Sequence, residues 1–305
     1  MKFLFNMMNH GLLGQRSLED VIGIVGHQLR ALGHEAVWRP ENDRLFGPGE
    51  GVNVIVEGFT PDITAVVADM HRQGARFICL ATEEPTPKGF NWGTTKEMAQ
   101  RQIDFVQAAP YLDGILHLVP GQHVTDWYSQ FAPTAYVELG FAPSLIRGDE
   151  RYVPEYEFGF FGSLSPRRHS ILKRLANKVG GPNAIILVAD FATQRDRDAQ
   201  MRKAKVLVQI RKFEKMGLVS SSRCNTALHI GRPVIAEPHE LSKPWDEIVH
   251  FSESLDQFYR DALAMRGIWK GVHATQMRKF RERLTPEFCI GQPLEKIGIL
   301  ERMAA

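Results

Sequence analysis

KVLVQIRKFEKMGLVSSSRCNTALHIGRPVIAE, Lys205–Glu237, is the stretch whose reading decides the fold. Lys205 to Ile210 is a short run of β-branched residues that reads as a strand. Met216-Gly217-Leu218 reads as a turn. Ser220-Ser221-Ser222 offers three candidate N-caps for a helix that Gly231 and Pro233 terminate. Pro233 to Ala236 is then a second buried strand. In a parallel sheet such a unit aims the helix start, with its free N–H groups, at the crevice outside the carboxyl ends of the strands. An anion suits that place. Ser220, Ser221, Ser222 and Arg223 can hold a phosphate there, although serine also caps helices for its own sake. Arg211 and Lys212 directly follow the strand end, where a cation either neutralises phosphate or lies in solvent.

A second stretch, FGFFGSLSPRRHSILKRL (Phe158–Leu175), reads as strand, glycine turn and helix. Gly162-Ser163 supplies hydroxyl and N–H donors, and Ser165-Pro166 starts the helix. Its first turn carries Arg167 and Arg168, although the helix dipole favours acids there. Helix stability does not explain the pair; a nearby anion would, and so would plain surface exposure.

The turn–helix–Gly-x-Pro-Val-Ile-Ala-Glu pattern resembles the nucleotide-sugar-binding half of GT-B glycosyltransferases. The likeness is closest to the bacterial spore-maturation-protein-like, glycosyltransferase family 1 and 4-like group, where an arginine opens the helix as Arg223 does. Phe158–Leu175 is similar to the segment that opens the same domain. The resemblance implies an α/β chain with two Rossmann-like doubly wound domains facing a central cleft. It implies transfer of a sugar, hexosyltransferase-type, from a nucleoside-diphosphate sugar, UDP-sugar foremost, to an acceptor hydroxyl. Gly162, Ser163, Arg167, Arg168, Lys212, Ser220, Ser221, Ser222 and Arg223 would grip the donor. Glu237 would touch a ribose or sugar hydroxyl, or be an ordinary strand-end carboxylate. Cations and helix dipoles can stabilise the leaving diphosphate, so no cofactor or metal is required.

One departure stands out. Many retaining relatives carry two glutamates eight positions apart, the second five residues before the helix-ending glycine. Here those places hold Leu218 and Thr226, which points to inversion. Two alternatives are a sugar-nucleotide 2-epimerase or hydrolase, and a binding protein that kept the fold without catalysis. A dehydrogenase is disfavoured, since no G-x-G-x-x-G follows a strand.

The chain has 305 residues, enough for two domains, and a formal net charge of +2 that calls for neither nucleic acid nor an anionic membrane. Cys79, Cys224 and Cys289 have no metal-ligand spacing, and their use fits a reducing cytoplasm with no disulfide frame. The N-terminal MKFLFNMMNHG reads as a first strand rather than a leader. No stretch approaches the roughly 20 apolar residues of a membrane span. Membrane contact would be peripheral at most. The acceptor stays open among glycan, glycolipid and protein.

Strands and helices alternate along the first half, which argues a doubly wound parallel sheet whose chemistry lies in the loops after strands. Ser17 reads as the cap of a helix running to Gly33. His10, in the loop after the first strand, could take a proton from an acceptor hydroxyl or merely hydrogen-bond. Of Glu83 and Glu84, at most one faces a cleft; Glu84 is the candidate base, and solvated loop charges are the alternative. Glu57, before Gly58, ranks lower because it could simply cap the next helix. His117 and His123 flank Pro120-Gly121 and read as structural. Arg195–Lys203 (RDRDAQMRK) reads as a strongly charged helix whose alternating signs suggest a solvated face rather than a nucleic-acid site. The polar segment 139–156 suggests a boundary, giving domains 1–150 and 151–270, with 271–305 as a helical segment that could cross back to the first.

Overall fold

In a computed structural model of the chain, the described residues are 1–7, 12–39, 45–93, 95–147, 153–189, 191–214, 217–240 and 243–300. They divide into two compact units, Met1–Ala142 with Leu284–Ala305, and Pro143–Arg283.

The first unit has strands β1 (Lys2–Asn6), β2 (Glu35–Arg39), β3 (Val52–Val56), β4 (Arg76–Ala81), β5 (Gly114–His117) and β6 (Thr134–Tyr136). All pair in parallel, in the order β2-β1-β3-β4-β5-β6. Helices α1 (Leu12–Ala31), α2 (Pro61–Arg72), α3 (Lys96–Ala108) and α4 (Gln122–Tyr128) make the crossovers. Every residue of β3 is buried, as expected of a strand covered on both faces. Thr60 and Thr95 cap α2 and α3 by accepting the N–H groups of Ile63 and Met98. The expected cap at Ser17 is not one. The first helix already begins at Leu12, which leaves Ser17 inside it.

The second unit has strands β7 (Tyr156–Phe161), β8 (Ile185–Val188), β9 (Ala204–Gln209), β10 (Val234–Ala236) and β11 (His250–Phe251), again parallel, in the order β11-β10-β9-β7-β8. Its helices are α5 (Pro166–Val179), α6 (Gln194–Met201), α7 (Ser221–His229), α8 (Leu255–Met265) and α9 (Trp269–Arg283). Phe158 and Phe160 of β7, Val206 and Val208 of β9, Leu172 and Leu175 of α5 and Phe258 of α8 share one buried core. The chain then re-enters the first unit through a π-helical turn, Glu287–Gly291, and α10 (Gln292–Lys296). At the neck between outgoing and returning chain, the Phe141 N–H donates to the Leu284 carbonyl at 2.7 Å.

Each sheet starts one strand in from an edge, steps outward to that edge strand and returns past the start. The order reverses between β1 and β3 in the first unit and between β7 and β9 in the second. Open α/β sheets bind ligands outside the carboxyl ends of the strands at such a reversal.

The helix expected to present a solvated face is α6, where Arg195, Asp196 and Gln200 are exposed; its other face carries charge inward. Arg197 and Asp198 are buried. The Arg197 guanidinium donates to Asp198 Oδ1 at 2.7 Å and lies over the Phe161 and Phe191 rings. Asp198 also pairs with Arg147 at 2.9 Å. Mutual neutralisation is what lets two charges leave water, and charge alternation alone does not reveal it.

Candidate anion-binding site

At the β7/β9 reversal, β7 ends at Phe161 and Gly162 turns the chain with φ +119°. A Cβ on Gly162 would stand 3.4 Å from Arg223 Nε, so glycine leaves room for that guanidinium. Ser165 caps α5 by accepting the Arg168 N–H, and its hydroxyl donates to the Lys212 carbonyl at 2.8 Å. Arg168 turns inward and is only 2% exposed. Its Nε donates to the Ile210 carbonyl at 3.0 Å and its Nη1 to the Ser163 carbonyl at 2.8 Å. One guanidinium therefore ties the loop after β7 to the loop after β9.

Arg223 reaches the same place from the first turn of α7. Its Nη1 donates to Gln209 Oε1 at 3.1 Å, and its guanidinium lies 5.6 Å from the Phe160 ring centre. Arg168 approaches that ring to 5.3 Å. Arg223 is surrounded by protein yet keeps an edge open to solvent. Among the described residues neither arginine makes an ion pair with a carboxylate. Burial, and then the charge of Arg168 beside it, pushes the Arg223 pKa down to about 9. The Glu237 charge acts on Arg168 from a distance, but that carboxylate is already held by Arg167 and Arg211, so the two guanidiniums together favour an anion.

The start of α7 adds to it. The Ser220 side chain makes no cap bond and instead lies 3.3 Å from the Ser222 hydroxyl. The Arg223 and Cys224 N–H groups bond the Ser220 carbonyl, so among the described residues those of Ser221 and Ser222 are the first-turn donors left for an acceptor. The Ser221 side chain is already used, accepting the Trp245 indole N–H at 3.0 Å.

Arg167 and Glu237 form a separate device. The Glu237 carboxylate is buried, and the Arg167 fork binds both of its oxygens, Nη1 to Oε1 at 2.7 Å. It also accepts the Arg211 N–H, and Arg211 Nε lies 3.7 Å from Oε2. Every oxygen of Glu237 thus faces a cation or a backbone donor, and the Arg167 pKa rises through that bond. The exposed Lys212 places its ammonium 5.3 Å from the Phe213 ring. Arg167, Lys212, Phe213 and Leu255 line an open groove of about 580 Å³. The sequence reading missed Gln209, Ile210 and Phe160. A glutamine inside an apolar strand run was the one available signal.

In the first unit His10 lies outside the described residues. Glu84, following β4, has its Oε1 3.2 Å from His123 Nε2. Glu83 and Glu57 are buried with Arg101, whose Nη1 is 2.7 Å from Glu83 and whose Nη2 is 3.5 Å from Glu57. Glu57 also accepts the Thr82 N–H at 2.6 Å and the Thr82 hydroxyl, whereas Thr60 caps the next helix. Glu57 and Glu83 are therefore neither solvated loop charges nor caps. His117 is structural: it bonds the Val119 carbonyl and the Thr125 hydroxyl, and burial lowers its pKa to about 4.

One arginine cannot neutralise two buried carboxylates. Burial, then the Glu57 charge, pushes the Glu83 pKa up to about 8 from an ordinary 4.5. The folded state thus holds a proton that the unfolded state releases between those values. Its contribution to stability is full below pH 4.5 and is lost as pH rises through about 8. Glu83→Gln is expected to flatten the fall of melting temperature across that window. An unchanged slope would contradict the shared-proton arrangement.

No protein-family model matches the chain, and no curated protein matches it. Solved structures do. A Staphylococcus aureus TarM mutant in complex with UDP superposes with TM-score 0.51 at 11% identity, covering 90% of this chain and 58% of that one. This chain thus spans less than two thirds of TarM. AviGT4, a glycosyltransferase involved in avilamycin A biosynthesis, gives TM-score 0.54 at 11% identity over 98% and 97% of the two chains. The T4 phage β-glucosyltransferase, in a structure with UDP and Mn2+, gives 0.53 at 9% identity over 97% and 99%. The fold is that of the GT-B glycosyltransferases.

Proposed function

We propose that this protein transfers a sugar from a nucleoside-diphosphate sugar, a UDP-sugar foremost, to an acceptor hydroxyl, with inversion and without a metal ion. The observation that carries the reading is the pair Arg168 and Arg223, two guanidiniums without carboxylate partners among the described residues, set at the β7/β9 reversal beside the start of α7. A diphosphate brings two or more negative charges and several acceptor oxygens, which matches that donor set. Gly162 and Ser163 would border the phosphates, with Ser220 and Ser222 at the helix start. Arg167 and Lys212 would border the remainder of the nucleotide in the groove with Phe213. Glu237 would act through the arginines it holds. A divalent ion serves such leaving groups by neutralising charge, and here the guanidiniums would supply that neutralisation. The absence of the spaced glutamate pair supports inversion.

In this reading the second unit, which includes the expected donor domain 151–270, holds the donor, and the first unit, to which residues 284–305 of the expected C-terminal segment return, serves the acceptor side. The acceptor would be a glycan, glycolipid or protein, met in the cytoplasm. No helix among the described residues is long and apolar enough to cross a membrane.

The test is thermal unfolding with UDP, GDP, dTDP, CDP or ADP, each in EDTA and in magnesium. A ligand that binds only the native state stabilises it by about 2.7 kcal/mol at a hundredfold excess over its Kd. One nucleoside diphosphate is expected to raise the melting temperature by several degrees, equally in both buffers. No shift with any of the five sinks the donor reading. A shift that needs magnesium sinks only the metal-free part.

A further inference from the structure

The edge of a β-sheet presents a row of unpaired N–H and C=O groups, and proteins blunt it by shortening, charging or covering the strand. Among the described residues the two sheets have four such edges, and three are blunted. At β2, Arg30 Nη2 donates to the Ala36 carbonyl at 2.6 Å, and the guanidinium lies 4.4 Å from the Trp38 ring centre. The edge strands β6 and β11 are only three and two residues long. The fourth edge, β8, reads Ile185-Ile186-Leu187-Val188, with no charge, proline or glycine in it.

The ladder fixes which groups of β8 are free. The Phe158 N–H donates to the Ala184 carbonyl at 3.1 Å, and the Gly162 N–H donates to the Val188 carbonyl at 3.2 Å. Every second residue of a strand bonds a given neighbour, so Ile186 faces β7, while Ile185 and Leu187 turn their N–H and C=O groups outward. Among the described residues those four groups have no partner. Side chains alternate in the same way. Ile185 packs at the margin of the core that α5 and α8 cover; Leu187, on the same face, is 44% exposed.

We infer that β8 pairs antiparallel with β8 of a second copy of this chain, about a two-fold axis at Ile186. A two-fold contact uses one patch twice, so the strand must be its own complement. This one is. With the axis at Ile186, Ile185 faces Leu187 of the second copy and Leu187 faces its Ile185, each pair exchanging two hydrogen bonds. Every free group on both edges is then used. No charge opposes a like charge, since Ala184 meets Val188 at the ends of the pairing. Leu187 is covered by Ile185 and Leu187 of the second copy, and the two five-stranded sheets become continuous. Antiparallel pairing points the carboxyl edges of the two sheets in opposite directions, so neither anion-binding site faces the other. The inference does not depend on the sugar-transfer reading.

The experiment is sedimentation velocity of the full chain over a range of concentrations, for wild type and Leu187→Lys. Wild type is expected to show a monomer–dimer equilibrium. Leu187→Lys puts two ammonium groups into the pairing and is expected to raise the dissociation constant at least about tenfold. Its melting temperature in dilute solution should match wild type, because position 187 is exposed in the monomer. A wild type that stays monomeric throughout, or a dimer that Leu187→Lys leaves intact, overturns the inference. Cross-linking reads the register separately. Opposed residues of a non-hydrogen-bonded antiparallel pair have Cα atoms about 4.5 Å apart, within disulfide reach. Ile186→Cys is therefore expected to join two copies on mild oxidation. Leu187→Cys, whose counterpart lies on the diagonal about 7–8 Å away, is expected not to. The native cysteines are buried and do not compete. Cross-linking through Leu187→Cys but not Ile186→Cys overturns the pairing.

Discussion

In Arg223→Met, the rise in melting temperature on adding UDP is expected to vanish, while the ligand-free protein melts higher than wild type. Both halves come from one circumstance. Arg223 is enclosed by protein, bonded to a single neutral oxygen on Gln209 and pressed against another cation, Arg168. A charge in that setting is destabilising until an anion arrives, and methionine fills similar space without it. Charge-assisted hydrogen bonds contribute about 1.5–3 kcal/mol each. Losing two to a phosphate weakens binding by roughly 10²-fold or more. Relief of the buried charge is expected to stabilise the free protein by about 1 kcal/mol or more, some 2–4 °C for a domain of this size.

The pH dependence has a fixed sign. The folded-state pKa of Arg223 is lowered to about 9 from 12.5, so between those values the unfolded state binds more protons. This group's contribution to stability therefore rises with pH across that window, while affinity for a diphosphate falls as pH passes about 9. Arg223→Met should show neither trend. Wild-type UDP affinity in the variant would remove Arg223 from the site.

Glu237→Leu is expected to be the most damaging single change in the second unit. Its carboxylate is buried and holds the Arg167 fork, the Arg211 N–H and the nearby Arg211 Nε. Removing one partner of a buried pair costs about 3–5 kcal/mol, because the other charge stays behind uncompensated. The melting temperature of this unit should fall by roughly 10 °C. Arg167→Met leaves Glu237 its Arg211 partners and should cost less. In the double variant the leucine no longer strands the Arg167 guanidinium, so part of the loss should return, on the order of 1 kcal/mol in a double-mutant cycle. A melting temperature for Glu237→Leu within 2 °C of wild type, on the order of 1 kcal/mol or less, would contradict this account.

Where the sequence was readable, the cause was periodicity or local chemistry. The β-branched runs gave strands of both sheets, and Ser165 caps its helix where it was expected to. Arg167 and Arg168 could be singled out because a cation opening a helix opposes its dipole, and Arg223 because the resemblance puts an arginine at that helix start. What stayed hidden was which partner each charge finds. Arg167 meets Glu237 across 70 positions, and Glu84 meets His123 across 39. Glu57 ranked below Glu84, although it is the one buried beside Glu83 and Arg101 beyond the ends of β3 and β4. Such meetings follow from strand order, which one sequence's local pattern does not encode. The burial of Arg197 and Asp198 was hidden for the same reason, since their aromatic neighbours lie on other elements.

The second unit is an insertion: the chain leaves the first unit after Ala142 and returns at Leu284, and the bond from Phe141 to Leu284 clasps the neck. This matters for mechanical load. Tension applied between residues 1 and 300 enters and leaves through the first unit alone. The clasp closes the second unit into a side loop that carries no force until the neck parts. The nucleotide-binding fold proposed here would thus be the last part of the molecule to be stretched, although it occupies the middle of the chain.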